Sequence, residues 1–317
     1  MINTILVPLD GSPLAERALP HAEAIASAPG ARIALIRAVQ QQVFLGVDTP
    51  AERGMAMAEA EAYLTEVAAR MISRGFTIDT RVVYGGSTEA ILAEAESREA
   101  DLIVMATHGR GGFKRLRYGS VAEAVLRRTE TPLLLVRAWS GERQPAPSTV
   151  RPRLLVPLDG TPFAEEALLV AARLALAFGG ELILLHAVSP FEQAFMPEAI
   201  LSNSSEQEAA RGAEARDYLE QLVTNGATGG CPTTTDVRFD VPTLAIEEAA
   251  RDHSADVVIM ATHGRNTLGR LALGSVADAV LQHSRIPLLL VRPQRGTASG
   301  VRVKATQTAP DRALAND

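Results

Sequence analysis

The stretch ILVPLDGSPLAERAL at residues 5–19 returns as LLVPLDGTPFAEEAL at residues 154–168. Each copy opens with an apolar run suited to a buried strand, turns at Asp-Gly, and passes through Ser-Pro or Thr-Pro into a helical pattern. In the first copy Leu14, Ala18, Ala22 and Ile25 recur at helical spacing, with Ser12 as N-cap and Pro13 at the first helical position. A second pair, TPLLLVR at 131–137 and IPLLLVR at 286–292, marks the far end of each copy. The repeat therefore spans a whole domain, because a unit this long buries its own core, unlike a solenoid unit of ~20–50 residues.

Between those ends, short apolar runs alternate with amphipathic ones. In the first copy ILVPL, RIALIRAV, TRVVY, DLIVMA and PLLLVR are nearly continuous β-compatible runs, as strands covered on both faces require. The alternation predicts an α/β fold of two tandem doubly wound domains, each with a five-stranded parallel sheet flanked by helices. The expected boundaries are 1–139 for the first domain, 140–151 for a polar linker around SGERQPAPST, and 152–292 for the second domain. Residues 293–317 hold too few large apolar side chains to pack and read as a disordered tail. Pro20 has no N–H to give the carbonyl of Glu16, which predicts a kink in the first helix; Leu169 stands there in the second copy.

Composition narrows the function. A chain of 317 residues accommodates two domains of ordinary size. Its formal charge of -6 leaves no global basic field, so nucleic acid is not an expected partner. Cys231 is the lone cysteine, which rules out an internal disulfide and fits a reducing compartment. MINTILVPLDGS carries no basic leader, its apolar run breaks at Asp10, and no later run approaches the ~18 apolar residues of a membrane span. The expectation is a cytoplasmic chain with no membrane association.

The chemistry concentrates in MATHGRGGFKRLRYGSVAEAVLRR at 105–128 and MATHGRNTLGRLALGSVADAVLQH at 260–283. Both keep His-Gly-Arg and Gly-Ser-Val at one spacing while the residues between them drift. Each stretch runs from a strand end to a helix start, at the carboxyl edge where doubly wound sheets bind ligands. Gly119-Ser120 and Gly274-Ser275 bring backbone N–H groups and a hydroxyl to that start, which suits a phosphate. A glycine in such a loop also builds ordinary turns, and it is the duplicated Gly-Ser start that favours the phosphate reading. Neither G-x-x-x-x-G-K-[ST] nor G-x-G-x-x-G after the first strand is present. His108 and His263 read as structural hydrogen-bonders beside the loop glycines, and His21, His186, His253 and His283 lack the spacing of a metal set.

With these residues each repeat resembles a universal stress protein domain of the nucleotide-binding branch. That signature is a Gly, two residues, a Gly, nine residues, then Gly followed by Ser or Thr, with an Asp after the first strand. Gly109 and Gly119-Ser120 match it, as do Gly264 and Gly274-Ser275, while Ala106 and Ala261 replace the first glycine and add a methyl group. The resemblance implies ATP as ligand, with Mg2+ brought by the triphosphate. It places Pro8, Asp10 and Ala38, and Pro157, Asp159 and Ala187, on the adenosine side. It places Ala106, Gly109, Arg110, Gly119, Ser120 and Val121, and Ala261, Gly264, Arg265, Gly274, Ser275 and Val276, around the phosphates. Asp10 and Asp159 suit an Asx turn opening the next helix equally well, and the two roles coexist.

The resemblance also implies that the PLLLVR strand is the edge used for dimerisation, so the copies are expected to pack as a pseudo-symmetric pair. A homodimer of the whole chain and an unidentified protein partner are both compatible with it. The expected function is an ATP-binding universal stress protein whose occupancy regulates conformation or partner binding; the alternative is a nucleotide-independent dimerisation or adaptor module. An enzyme is not expected, since VPLDGSP is not the S-G-G-x-D-S loop of ATP pyrophosphatases and no base–nucleophile set recurs, although slow ATP hydrolysis is compatible with binding. Arg110, Lys114, Arg115 and Arg117 in the first loop, against Arg265 and Arg270 in the second, predict tighter triphosphate binding by the first copy. The apolar insert SPFEQAFMPEAIL at 189–201 reads as a lid or a partner surface.

Overall fold

The computed structural model describes residues 2–40, 49–107, 119–137, 151–189, 204–262 and 274–292. The expected tail, most of the expected linker, and the apolar insert beyond Ser189 lie outside these residues, as do 108–118 and 263–273 of the two loops. The first repeat runs β1 (Thr4–Pro8), α1 (Leu19–Ala26), β2 (Arg32–Val39), α2 (Pro50–Ile72), β3 (Thr77–Tyr84), α3 (Ser87–Ser97), β4 (Leu102–Ala106), α4 (Ser120–Arg128) and β5 (Leu133–Val136). The second runs β6 (Arg153–Leu158), α5 (Pro162–Phe178), β7 (Glu181–Ala187), α6 (Ser204–Thr224), β8 (Thr233–Arg238), α7 (Pro242–Asp252), β9 (Val257–Ala261), α8 (Ser275–His283) and β10 (Leu288–Val291).

The strands form one sheet in the order β3-β2-β1-β4-β5-β10-β9-β6-β7-β8. Pairing within each repeat is parallel, as the continuous apolar runs predict. Between repeats it is antiparallel: Leu135 lies opposite Leu288, Leu134 opposite Leu289, and Leu133 opposite Leu290. Leu134 and Leu289 hold the same place in the two PLLLVR motifs, so a pseudo-twofold axis passes between them. The expected pair is present, and its two half-sheets are fused into a ten-stranded sheet. Fusion satisfies the backbone groups of both terminal strands, which would otherwise be open edges.

Alternate strand residues feed two cores. Ile5 and Val7 of β1 belong to the layer that also takes in residues of α1, α2, α5 and α6, whereas Leu6 belongs to the one that takes in residues of α3, α4, α7 and α8. Both layers continue across the seam, with Leu134 and Leu289 in the first and Leu133, Leu135, Leu288 and Leu290 in the second. An apolar recess on the first face straddles the axis and is lined by the repeat-equivalent pairs Ile25 and Leu174, Leu102 and Val257, and Leu134 and Leu289.

Pro20 does not kink a helix. The chain instead passes through a 3-10 turn at Ala15–Ala18, in which the Leu19 N–H takes the Glu16 carbonyl. α1 then begins at Leu19, so Pro20 occupies a first-turn position where its missing donor has no intrahelical partner to lose. With Leu169 in that place, α5 is continuous over 17 residues. Among the described residues no helix is long and apolar enough to cross a membrane.

Candidate functional site

The site follows from the order of crossovers. α1 carries β1 to β2 over one face of the sheet, while α4 carries β4 to β5 over the other. Because β1 and β4 are neighbours whose crossovers lie on opposite faces, the sheet has its switch point between their carboxyl ends, the place where folds of this kind form a crevice, and β6 and β9 repeat the arrangement. Pro8 ends β1 beside Ile36, and Pro157 sits one residue before the end of β6 beside Leu185.

Asp10 and Asp159 stand just past those strands. Leu9 extends the ladder with its N–H on the Ile36 carbonyl at 2.8 Å. Gly11 and Gly160 then adopt φ of 82° and 80°, which an L side chain resists. The turn is closed by the aspartate: Asp10 Oδ1 accepts the Ser12 N–H at 2.9 Å, and Asp159 Oδ1 accepts the Thr161 N–H at 3.0 Å and its hydroxyl at 2.6 Å. Thr161 caps α5 as its N-cap, accepting the N–H of Ala164 at 3.3 Å. Ser12 likewise accepts the N–H of Ala15 at 3.1 Å, but contrary to the sequence expectation no helix starts at Pro13, since the 3-10 turn follows Leu14 and α1 starts at Leu19. Both aspartates thus build an Asx turn, the structural role that the sequence allows alongside a ligand role.

Across the crevice, Ala106 and Ala261 are the last residues of β4 and β9. Neither has positive φ, so alanine in place of the signature glycine meets no backbone strain. Gly119 and Gly274 precede α4 and α8 with φ, ψ of -57°, 140° and -61°, 153°. Any residue can adopt that conformation, so glycine is not demanded there by backbone geometry. Neither helix start has a side-chain cap, which leaves the first-turn N–H groups of Ser120 and Val121, and of Ser275 and Val276, at the edge. α2 and α5, by contrast, are capped by Thr49 and Thr161. α3 and α7 also start uncapped, but beside the outer strands β3 and β8 and not at the crevice. The Val121 and Val276 side chains pack on the second core. Ala38 and Ala187 lie at the carboxyl ends of β2 and β7, opposite Val83 and Arg238. Gly109, Arg110, Gly264 and Arg265 lie outside the described residues, as do His108 and His263.

Two supporting pairs escape a reading of the sequence alone. Tyr63 on α2 donates to Glu16 Oε1 at 3.0 Å, and Tyr218 on α6 donates to Glu165 Oε1 at 3.1 Å. Burial first, and then the glutamate and the nearby Asp10 or Asp159 charge, holds each phenol protonated well above its usual range. Beside these rings the repeats differ. The Arg37 guanidinium, on a residue only 7% exposed, lies 5.0 Å from the Tyr63 ring centre. His186 meets Tyr218 edge-on at 5.9 Å. Thr107 and Thr262, buried at the roots of the two loops, likewise carry no sequence signal; the Thr107 carbonyl accepts the Gly119 N–H. Among the described residues no group of three or more His, Cys, Asp or Glu side chains is placed to hold a metal ion.

Comparison with known proteins bears on the whole chain. A sequence model of the universal stress protein family matches residues 1–137 and 151–292. The universal stress protein Rv2005c of Mycobacterium tuberculosis is 30% identical over 196 residues, a match that takes in 62% of this chain and 63% of that relative's length. Rv2623 of the same organism is 23% identical over 296 residues, covering 91% of this chain and 96% of the relative. The crystal structure of a universal stress protein from Archaeoglobus fulgidus superposes with a TM-score of 0.69 at 20% identity, over 92% of this chain and 99% of that one, which speaks to fold. Both repeats match the family model over most of their length, and the chain belongs to the universal stress protein family as a tandem of two of its domains.

Proposed function

We propose that each repeat binds ATP at its carboxyl edge, and that occupancy biases the shape of the pair or its hold on a protein partner in a cytoplasmic stress response. The observation that carries this reading is duplicated: an aspartate turn after the first strand and an uncapped Gly-Ser helix start border one crevice in both repeats. Two parts of that edge suit different parts of the nucleotide. Carboxylates at Asp10 and Asp159 would accept a sugar hydroxyl or the exocyclic amine, and the backbone at Ala38 and Ala187 would border the base. First-turn N–H groups, with the Ser120 or Ser275 hydroxyl, would take phosphate oxygens. Mg2+ would arrive on the triphosphate, whose oxygens supply the hard ligands it prefers, and would offset part of the polyphosphate charge.

We assign no catalytic step to the protein; its proposed work is binding. The test is to purify the chain without added nucleotide, denature it, identify any small molecule released, and titrate the emptied protein with ATP. Co-purified or saturably bound ATP supports the reading. No binding at millimolar ATP by a folded chain rejects it in favour of a nucleotide-independent adaptor, for which the β5 and β10 seam would be the working feature.

A further inference from the structure

The terminal strands are followed by equivalent residues, Arg137 after β5 and Arg292 after β10, and each arginine reaches across the seam. Arg137 Nη1 donates to the carbonyl of Ser284, the C-cap of α8, at 3.1 Å. Arg292 Nη2 donates to the Arg127 carbonyl at 2.8 Å and lies 3.5 Å from that of Leu126, in the last turn of α4. Each guanidinium therefore sits on the open carbonyl end of a helix in the other repeat, where the backbone partial charge is negative. These are the same helices that begin at Gly119-Ser120 and Gly274-Ser275. Each has nine residues, so only about 13 Å of rigid backbone separates the arginine from the proposed phosphate end.

Each arginine is also rooted in the site of its own repeat. The Val136 carbonyl, one residue before Arg137, accepts the Thr107 N–H at 2.9 Å, and the Thr107 carbonyl accepts the N–H of Gly119. In the second repeat the Val291 carbonyl, one residue before Arg292, accepts the Thr262 N–H at 2.8 Å. A contiguous path thus runs from the first helix start through Thr107, Val136 and Arg137 to Ser284 and along α8 to the second, with a related path in the opposite direction.

We infer that Arg137 and Arg292 are positioning residues that couple the two sites, each tuning the site of the repeat to which it does not belong. The inference rests on the nucleotide reading above. Its signature is a crossed one that general loss of stability would not produce. Gly274→Val leaves the first site to be measured alone, and Gly119→Val leaves the second. In those backgrounds ATP titration of Arg292→Met should show about three- to tenfold weaker binding at the first site and a change within about twofold at the second. Arg137→Met should do the reverse, and Arg292→Lys, which keeps a cation at the end of α4, should recover most of the affinity. Amide exchange without nucleotide should quicken across Ser120–Arg128 in Arg292→Met and across Ser275–His283 in Arg137→Met. Affinity losses confined to the arginine's own repeat, equal in both repeats, or absent overturn the coupling while leaving the nucleotide reading intact. Amide exchange that does not follow the crossed pattern overturns it as well. A folded wild-type chain that binds no ATP overturns both.

Discussion

Acidification should destabilise this fold through one histidine in α1. His21 is 2% exposed, and its Nδ1 has no hydrogen-bond partner. Burial lowers its pKa from 6.5 to about 4. Above the unfolded value the ring is neutral in both states, and His21 adds no pH dependence. As pH falls through that value the unfolded chain takes up the proton first, so stability drops, and the loss is complete below the folded value. The whole shift corresponds to about 3 kcal/mol, of which about 2 kcal/mol is lost by pH 5. His21→Leu removes both the titration and the orphaned nitrogen, and Val170 at the equivalent place of the second repeat shows that the position accepts an aliphatic side chain. Urea unfolding of the wild type and His21→Leu at pH 7 and pH 5 checks this. The variant should be more stable by about 1 kcal/mol at pH 7, from relief of the buried unsatisfied nitrogen, with the gap widening to about 3 kcal/mol at pH 5. Parallel pH dependences, or a variant weaker at both pH values, would refute the argument.

Gly119→Val and Gly274→Val should each abolish ATP binding at their own repeat with the fold intact, since the backbone there is open to valine; Ser120→Ala or Ser275→Ala should cost about 1–3 kcal/mol of affinity. Undiminished ATP binding by the double glycine variant would sink the phosphate assignment. With Arg110, Lys114, Arg115 and Arg117 in its loop, the first site should bind ATP more tightly than the second and lose more affinity as salt rises; a second site tighter at low and high salt contradicts this. Glu94 is 3% exposed and lies between Arg98 and Arg81, so Arg98→Met should lower stability by about 2 kcal/mol or more, read as a fall in the urea midpoint, and an unchanged midpoint speaks against it.

Strands covered on both faces are easy to read because apolar runs such as ILVPL and DLIVMA are short, continuous and rich in branched residues, as a strand covered on both faces requires. β3 is only half legible: it begins at Thr77, before TRVVY, and Thr77 and Asp79 belong to an outer strand that, among the described residues, pairs with β2 alone. The Gly-Ser starts stand out when the repeats are compared, whereas Asp10 is ambiguous in sequence because the same carboxylate suits a turn or a ligand. The tyrosine pairs were hidden by distance, with Glu16 47 residues before Tyr63 and Glu165 53 before Tyr218. Overlaying Tyr63-Leu64 on Tyr218-Leu219 would have exposed them. The charge run AESREAD at 95–101 reads in sequence as a solvated helix end, and the Glu94–Arg98 pair four residues apart suits that reading; what charge pattern does not encode is that Arg98 also reaches Asp79 on β3.

The fused seam changes what mutation can do to this molecule. In a homodimer every substitution appears on both sides of the twofold axis, so a residue that suits one subunit is imposed on its mate. Here the partners share one polypeptide, and dilution cannot part them, because the tether turns association into an intramolecular event. Each half can then carry a substitution that the other lacks. Arg37 and His186 register that freedom: on equivalent strands, one half has installed a permanent cation beside its tyrosine and the other an imidazole. The two repeats thereby carry unequal charge beside equivalent tyrosines on a framework that remains symmetric.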